Sequence, residues 1–336
     1  MDELVITPSA PARTPQGVYA PRVRGFADRV RQIGAFVRLG RPLFLVGGLV
    51  FYGLGAAIAV FAEGGRAIDW RRYVWGQIAV TAAHLMTHYC NDYFDFDADR
   101  ANATPTRWSG GSRVLPAGQL PREAALIAAL ALALLACVAT AILIGHAGAP
   151  SGVAGLMAAI VVLSWEYSAP PLRLHSTGWG ELDVAVIVSG LVPLTGFYLQ
   201  ATQWRLLPFV AVAPLAGLQL TMLLAIEFPD AAGDAATGKR TLVVRHGAEW
   251  AARLYQLTLI AVYVSLPLLV LAGLPAIVAA CALLTSPIAA WQVWRMHRGA
   301  FRNPAKWESI AFWSVALLVV TSALELIGFV VAARAR

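Results

Sequence analysis

The chain has 336 residues, of which 58% are hydrophobic and only 13% charged, with a mean hydropathy of +0.64 and a formal net charge of +7. That is too apolar for a soluble domain, and it points to a polytopic membrane protein rather than a nucleic-acid binder. Three cysteines (Cys90, Cys137 and Cys281), all in or near apolar runs, make no disulfide framework.

Residues 1–42 precede the first apolar run. Their opening stretch, "MDELVITPSAPARTPQGVYA", is rich in Pro and Ala and is expected to be disordered; it lacks the charged start and apolar core of a cleaved signal peptide. "PRVRGFADRVRQIGAFVRLGRP" follows, with Arg between apolar residues at helical spacing, the pattern of an amphipathic helix on the inner membrane surface. From residue 43 to 336 an all-α domain is expected, a bundle of nine transmembrane helices near 43–63, 74–94, 123–145, 151–169, 181–201, 205–227, 251–271, 274–294 and 308–332. With the N-terminus cytoplasmic, 20 of the 26 Lys and Arg fall inside, and an odd number of spans leaves the C-terminus outside. A preponderance of Arg over Lys, with abundant Ala, suits a GC-rich bacterial gene and hence a bacterial inner membrane.

The second run ends in "NDYFDFDAD", residues 91–99. At about 100° per residue, Asn91, Asp92, Asp95 and Asp99 share one helix face, Asp97 falls on the other side, and His88 and His84 continue the stripe into the membrane. Ionisable groups within a span cost roughly 2.5–3.5 kcal/mol each and mark a pathway or a site. Crowded carboxylates raise one another's pKa unless a cation neutralises them, and a hard divalent ion such as Mg2+, which bridges carboxylates to phosphate oxygens, is the economical one. A solvated acidic helix end is the plain alternative.

A second acidic pair argues against that alternative. In "EFPDAAGDAATGKRTLVVRHG" (227–247), at the cytoplasmic end of the sixth span, Asp230 and Asp234 lie four residues apart on a face shared with Glu227. Lys239, Arg240 and Arg245 follow. Two carboxylate clusters with cations beside them, on one side of the membrane, suit a diphosphate held through metal ions.

These residues resemble the UbiA superfamily of intramembrane prenyltransferases. Asn91, Asp92, Asp95 and Asp99 meet its N-D-x-x-D-x-x-x-D motif, and Asp230 and Asp234 meet its D-x-x-x-D motif. "GGSRVLPAGQL" and "GKRTLVVRHG" are similar to the menaquinone-type branch, which prenylates 1,4-dihydroxy-2-naphthoate, while "YSAPPLRL" (167–174) also resembles the chlorophyll and tocopherol branches. Glu227 stands where the menaquinone type usually carries Asn, and His84 and His88 are no hallmark of the family.

The resemblance implies transfer of an isoprenoid chain from a prenyl diphosphate to an aromatic, quinone-precursor-like acceptor, at an active site on the cytoplasmic side of the bundle. Asp92, Asp95, Asp99, Asp230 and Asp234 would hold Mg2+ against the diphosphate, with Asn91 assisting. Lys239, Arg240, Arg173 and Arg113 are the candidate cations for the leaving group. Tyr93, Phe94, Tyr167, Phe197 and Tyr198 are candidates for stabilising an allylic cation through their ring faces, though each also reads as an ordinary interface or core aromatic. His88 is a candidate base. Glu166, Glu227 and Asp183 are placed near the pocket, and Glu325 at the outer interface.

Three rival readings fit the same residues. A cation transporter would use the acidic faces as an ion path but predicts broken helices near the midplane. A carboxylate-bridged iron oxidase would recruit His84 and His88, without the usual Glu-x-x-His spacing. The same donor chemistry could also serve a quinolone, homogentisate, 4-hydroxybenzoate or a non-aromatic acceptor, because pocket shape sets that choice.

Overall fold

The computed structural model describes residues 26–335; the expected disorder of the first twenty residues lies outside them. Among the described residues there is no strand. Helix α1 (Phe26–Leu39) buries Ala35 and Leu39 and leaves Val30, Ile33, Phe36 and Val37 exposed between its arginines. Tyr89 Oη donates to the Phe36 carbonyl at 2.9 Å and ties α1 to the next helices.

Each of the nine expected apolar runs coincides with a helix or with consecutive helices. In chain order these are α2 (Pro42–Ala62), α3 (Trp70–Phe94), α5 (Arg122–Gly145) and α6 (Gly152–Glu166), with the short α4 (Phe96–Ala101) after α3. Then come α7 (Gly180–Val184), continued through the π-helical Ala185–Leu191 into α8 (Val192–Ala201), and α9 (Leu207–Glu227). Short α10 (Ala231–Ala236) and α11 (Leu242–His246) lead to α12 (Ala248–Val264), α13 (Leu266–Leu271), α14 (Ala276–Leu283), α15 (Ser286–His297) and α16 (Pro304–Arg334).

By length and hydropathy alone, five of these helical stretches can cross a membrane: α2, α5, the continuous 180–201 stretch, α9 and α16. A sixth is possible if α14 and α15, bent by 45°, form one broken span. The expected nine exceeds this for local reasons. α3 carries Arg71, Arg72, His84, His88, Asn91 and Asp92; α6 has 15 residues; α12 opens on Glu249 and Arg253 and breaks at Ser265.

The centre of the bundle is closed by α2 against α8. A Cβ on Gly55 would lie 1.9 Å from the Pro193 carbonyl oxygen, and one on Gly196 2.3 Å from that of Tyr52, so the two backbones meet where only glycine fits. Glu325, expected near the outer interface, is fully buried against protein in α16, with neither carboxylate oxygen partnered. The functional end of the bundle gathers the C-termini of α3, α6 and α9 with α4, α7 and α10.

Candidate active site

Helix α3 does not run through the first acidic motif, as the wheel assumed. It ends at Phe94, Asp95 turns (φ −87°, ψ 4°), and α4 restarts at Phe96. Carboxylates stacked along one helix would repel one another, and the turn gives each its own partner. Asp92, 1% exposed, is ion-paired to Arg41 and accepts from the Ser112 hydroxyl. Asp95 accepts from Lys239 Nζ at 2.9 Å and from Asn91 Nδ2 at 2.8 Å, and contacts His175 Nε2 at 2.5 Å. Asp99 lies against Gly111, where a Cβ would come 1.9 Å from its Oδ2; with φ at +72°, that position is reserved for glycine.

The facing wall begins where α9 ends. Asp230 stands at the N-cap position of α10, but its carboxylate turns away from the helix and accepts from Asn102 Nδ2 at 2.7 Å and from the Gly110 backbone N–H at 2.9 Å. Asp234 lies one turn on, 3.5 Å from Lys239 Nζ. Lys239 thus bridges the two motifs. Glu181 accepts from the Leu242 N–H at 2.6 Å through one oxygen, while its other oxygen and Glu227 Oε2 are buried without partners.

The electrostatics follow from burial set against too few cations. Burial alone would raise Asp95, but Lys239 and His175 hold it well below the usual carboxylate range. Burial would lower Lys239, but Asp95 and Asp234 outweigh that and raise it. Asp99 is pushed up to about 8 by burial and by Asp95, against the pull of Arg41. Asp230 is pushed up to about 6 by burial and Asp234, and Asp234 itself is raised by burial against the pull of Lys239.

Two cavities meet here. The polar one, about 80 Å³, is lined by Asp95, Asp99, Asp230, Asp234, Lys239 and Glu227 among others. The apolar one, about 180 Å³, runs between α2, α3, the π-helical stretch, α9 and α16. They share a wall made of Arg41, Asn91, Trp108, Tyr167, Leu223 and Ile226. Asp95, Asp99, Asp230 and Asp234 are therefore brought together with Asn91, Lys239, Tyr167 and Glu227, and His84 and His88 line the apolar cavity.

Other candidates are not brought in. Asp92 stands behind Arg41 and lines neither cavity. Arg173 and Arg240 are exposed, and Arg113 donates to the Asp99 backbone carbonyl. Tyr93 lies under the Arg122 guanidinium, 4.6 Å from its ring centre, and Glu166 accepts from the Leu172 N–H at 3.0 Å. Phe94 packs edge-on against Trp165, and Asp183 is buried but lines neither cavity. Phe197 is core and Tyr198 stacks on Trp204; at 1.5 Å per residue they sit some ~26 Å along the helix from Gly180 at the chamber.

Arg41, His175, Glu181, Trp108 and Gln219 escaped the sequence reading. In the sequence Arg41 is one of several arginines in the segment before the first apolar run, and His175 stands one residue beyond "YSAPPLRL". Only its adjacency to that segment signalled it.

Among the described residues no three carboxylate, imidazole or thiol groups already converge as a ligand set, because Lys239, Arg41 and His175 lie between the carboxylates. The donors still fit Mg2+: they are hard oxygens, they carry more negative charge than those cations offset, and two of their neighbours are orphaned. His84 and His88 stay apart from the aspartates, which disfavours the iron-oxidase reading, and the charges cluster at one end of the bundle rather than along a path through it.

Residues 50–316 match the model of the UbiA prenyltransferase family. The bacteriochlorophyll synthase 33 kDa chain of Cereibacter sphaeroides is 30% identical over 171 residues, 50% of this chain and 52% of that one. That of Rhodobacter capsulatus is 29% identical over 176 residues, 50% and 53%. The chain thus spans about half the length of the curated relatives it matches. A digeranylgeranylglyceryl phosphate synthase structure superposes with a TM-score of 0.61 at 14% identity, covering 89% of this chain and 99% of that one. A UbiA homolog from Archaeoglobus fulgidus bound to GPP and Mg2+ does so at 0.59 and 14%, covering 88% and 99%. At such identity these two likenesses are of fold.

Proposed function

The chain belongs to the UbiA prenyltransferase family, and from that premise we propose that it transfers an isoprenoid chain from a prenyl diphosphate to an aromatic, quinone-precursor-like acceptor in the membrane. The observation that carries this reading is the pair of joined cavities, one acidic and cation-bridged, the other apolar. A prenyl diphosphate is built from the same two halves. Residues 43–336 are one catalytic domain, and α1, with its exposed apolar side chains among arginines, lies on the inner membrane surface, the N-terminus being cytoplasmic.

Asp95, Asp99, Asp230 and Asp234, with Asp92 behind them, would hold Mg2+, which when bound ties carboxylates to the diphosphate and stabilises its charge. Lys239 turns its ammonium from the carboxylates to the diphosphate oxygens as the allylic C–O bond breaks. Arg41, whose Nε is unpartnered, adds a second cation at the junction, and Asn91 a neutral donor. The Tyr167 ring on the shared wall is placed to face the allylic cation. The apolar cavity keeps water from that cation. The new bond forms between the allylic carbon and a ring carbon, which then gives up its proton; His88 is the candidate base. Arg173 and Arg240, outside both cavities, take no part.

The bacteriochlorophyll synthase relatives, together with "YSAPPLRL", favour a second reading in which the acceptor is a bacteriochlorophyll precursor. Membranes containing the chain, incubated with prenyl diphosphates and both acceptor classes, with Mg2+ or chelator, separate the readings by mass spectrometry of the lipid extract. A prenylated ring that depends on Mg2+ and is lost in Asp230→Asn supports the first. A prenylated tetrapyrrole supports the second, and intact diphosphate under every condition refutes both.

A further inference from the structure

Far from the acidic chamber, Glu325 in the C-terminal half of α16 is 0% exposed and neither of its carboxylate oxygens has a partner. Its surroundings follow from the helix face it shares. At about 100° per residue, Thr321, Glu325 and Gly328 fall within about 60° of one another. Thr321 Oγ1 lies 2.8 Å from Thr285 Oγ1, and a Cβ on Gly328 would come 3.0 Å from Val278 Cα and 3.5 Å from Cys281 Sγ. Glu325 therefore faces the bent α14–α15 pair between those two contacts, one turn from Thr321, with about 5–6 Å between their Cβ atoms. Tyr263, at the end of α12, pairs with Thr285 at 2.9 Å and lies within electrostatic reach of the carboxylate.

The protons of this group can be counted. Thr285 has one hydroxyl proton and gives it to the Ala282 carbonyl at 2.8 Å. Tyr263 and Thr321 must then both donate to Thr285, so their oxygens offer only lone pairs to anything else. The backbone adds further acceptors. α12 breaks before α13, and α14 bends by 45° into α15. The prolines that open the second pieces, Pro267 and Pro287, have no N–H to give to the carbonyls of Tyr263 and Leu283. A proton on the Glu325 carboxyl needs an acceptor within hydrogen-bond reach, and neither oxygen has one. An ion bridges oxygens that stand too far apart to share a proton.

We infer that Glu325, Thr321 and Tyr263 form a binding site for one sodium ion, completed by carbonyls freed at the two helix breaks. One carboxylate balances one positive charge, whereas a divalent ion leaves a net charge buried. The close approach of α14 to α16 at Gly328 selects a small alkali ion. A buried carboxylate beside interrupted helices is a means by which other membrane proteins hold sodium. The ion ties α12 and α14 to α16, which also walls the apolar cavity through Val315 and Leu318. The inference is independent of the prenyl-transfer reading, because Glu325, Thr321, Tyr263 and Thr285 line neither cavity.

The test melts the purified full chain in detergent, in sodium chloride against choline chloride at constant ionic strength. The wild type is expected to melt on the order of 2–4 °C higher in saturating sodium. Glu325→Gln, which keeps the shape and loses the charge, melts at the same temperature in both salts. Thr321→Val needs about tenfold more sodium for half the rise, the loss expected for one missing polar contact. Should Glu325→Gln fail to fold, the Thr321→Val titration decides. Gln292→Leu, about two turns along α15 from Thr285, and Asp230→Asn, in the acidic chamber, keep the full rise above their own choline baselines. Identical melting of the wild type in the two salts overturns the inference, as does an undiminished response in Glu325→Gln or Thr321→Val. A rise lost in Asp230→Asn overturns it as well, since the ion then belongs to the acidic chamber.

Discussion

Gln292, in the seam between α12, α15 and α16, and Lys239, in the acidic chamber, are each the hub of a buried polar cluster. Gln292 Nε2 donates to Tyr255 Oη and to the Ile310 carbonyl, both at 3.1 Å, and its Oε1 accepts from Arg295 Nη1 at 2.8 Å. Tyr255 pairs with Ser314 at 2.8 Å. That network is largely neutral and closes on itself. Around Lys239 the carboxylates outnumber the cations, and Glu181 and Glu227 each keep an orphan oxygen. A satisfied network stiffens a helix seam; an unsatisfied, overcharged one is a place that a ligand completes.

Substitutions test this contrast directly. Lys239→Met removes the cation that bridges both motifs, and turnover is expected to fall by about a hundredfold or more, measured as prenyl product formed per minute. Asp230→Asn, which can keep the bond from Asn102 but loses the one from the Gly110 N–H and removes one charge, is expected to cost on the order of tenfold to a hundredfold in the same assay. Gln292→Leu leaves Arg295 Nη1 without its acceptor and Tyr255 with Ser314 alone: thermal unfolding in detergent reports a loss of about 1–3 kcal/mol, with turnover per folded molecule unchanged.

The pH dependence differs as well. Asp99 and Asp230 hold their protons in the folded chain up to about 8 and about 6, whereas in the unfolded chain they release them near 4. Over that window the folded state binds more protons, so stability falls as pH rises from about 4 to about 8. Melting in chelator across this range should show the decline, and magnesium pyrophosphate should flatten it. Asp95, shifted the other way, contributes stability that is present above about 4 and lost only in stronger acid. At the small end, Arg173→Ala and Arg240→Ala, both exposed and outside the chamber, are expected to change turnover by about twofold at most.

Most of the bundle was legible because hydrophobic runs of span length announce helices, and each expected run coincides with one. The chamber was legible where its residues sit close in sequence: Asn91 to Asp99, and Glu227 to Lys239. What escaped was whatever long-range packing alone defines. His175 reaches Asp95 across 80 positions and Arg41 reaches Asp92 across 51, and no local pattern marks either. Two of the aromatic candidates lie away from the chamber for a related reason. Closeness along the chain does not set depth within a helix, so Phe197 and Tyr198 sit at the far end of the helix whose near end forms the site. The turn at Asp95 was hidden because a helical wheel carries no term for repulsion between the charges it aligns.

The segment between α4 and α5 touches both acidic motifs. Gly110 N–H donates to Asp230, Ser112 to Asp92, and the neighbouring Gly111 leaves room only for Asp99. It works as a gauge that sets the width of the gap between two halves of the chain more than a hundred residues apart. Loops at membrane surfaces usually absorb length changes over evolutionary time. This one has no such freedom, because one added residue between Ser109 and Ser112 moves one anchor out of register with the other. In a library of single-residue insertions selected for activity, survivors would crowd the turn at 64–69 and leave 109–112 empty.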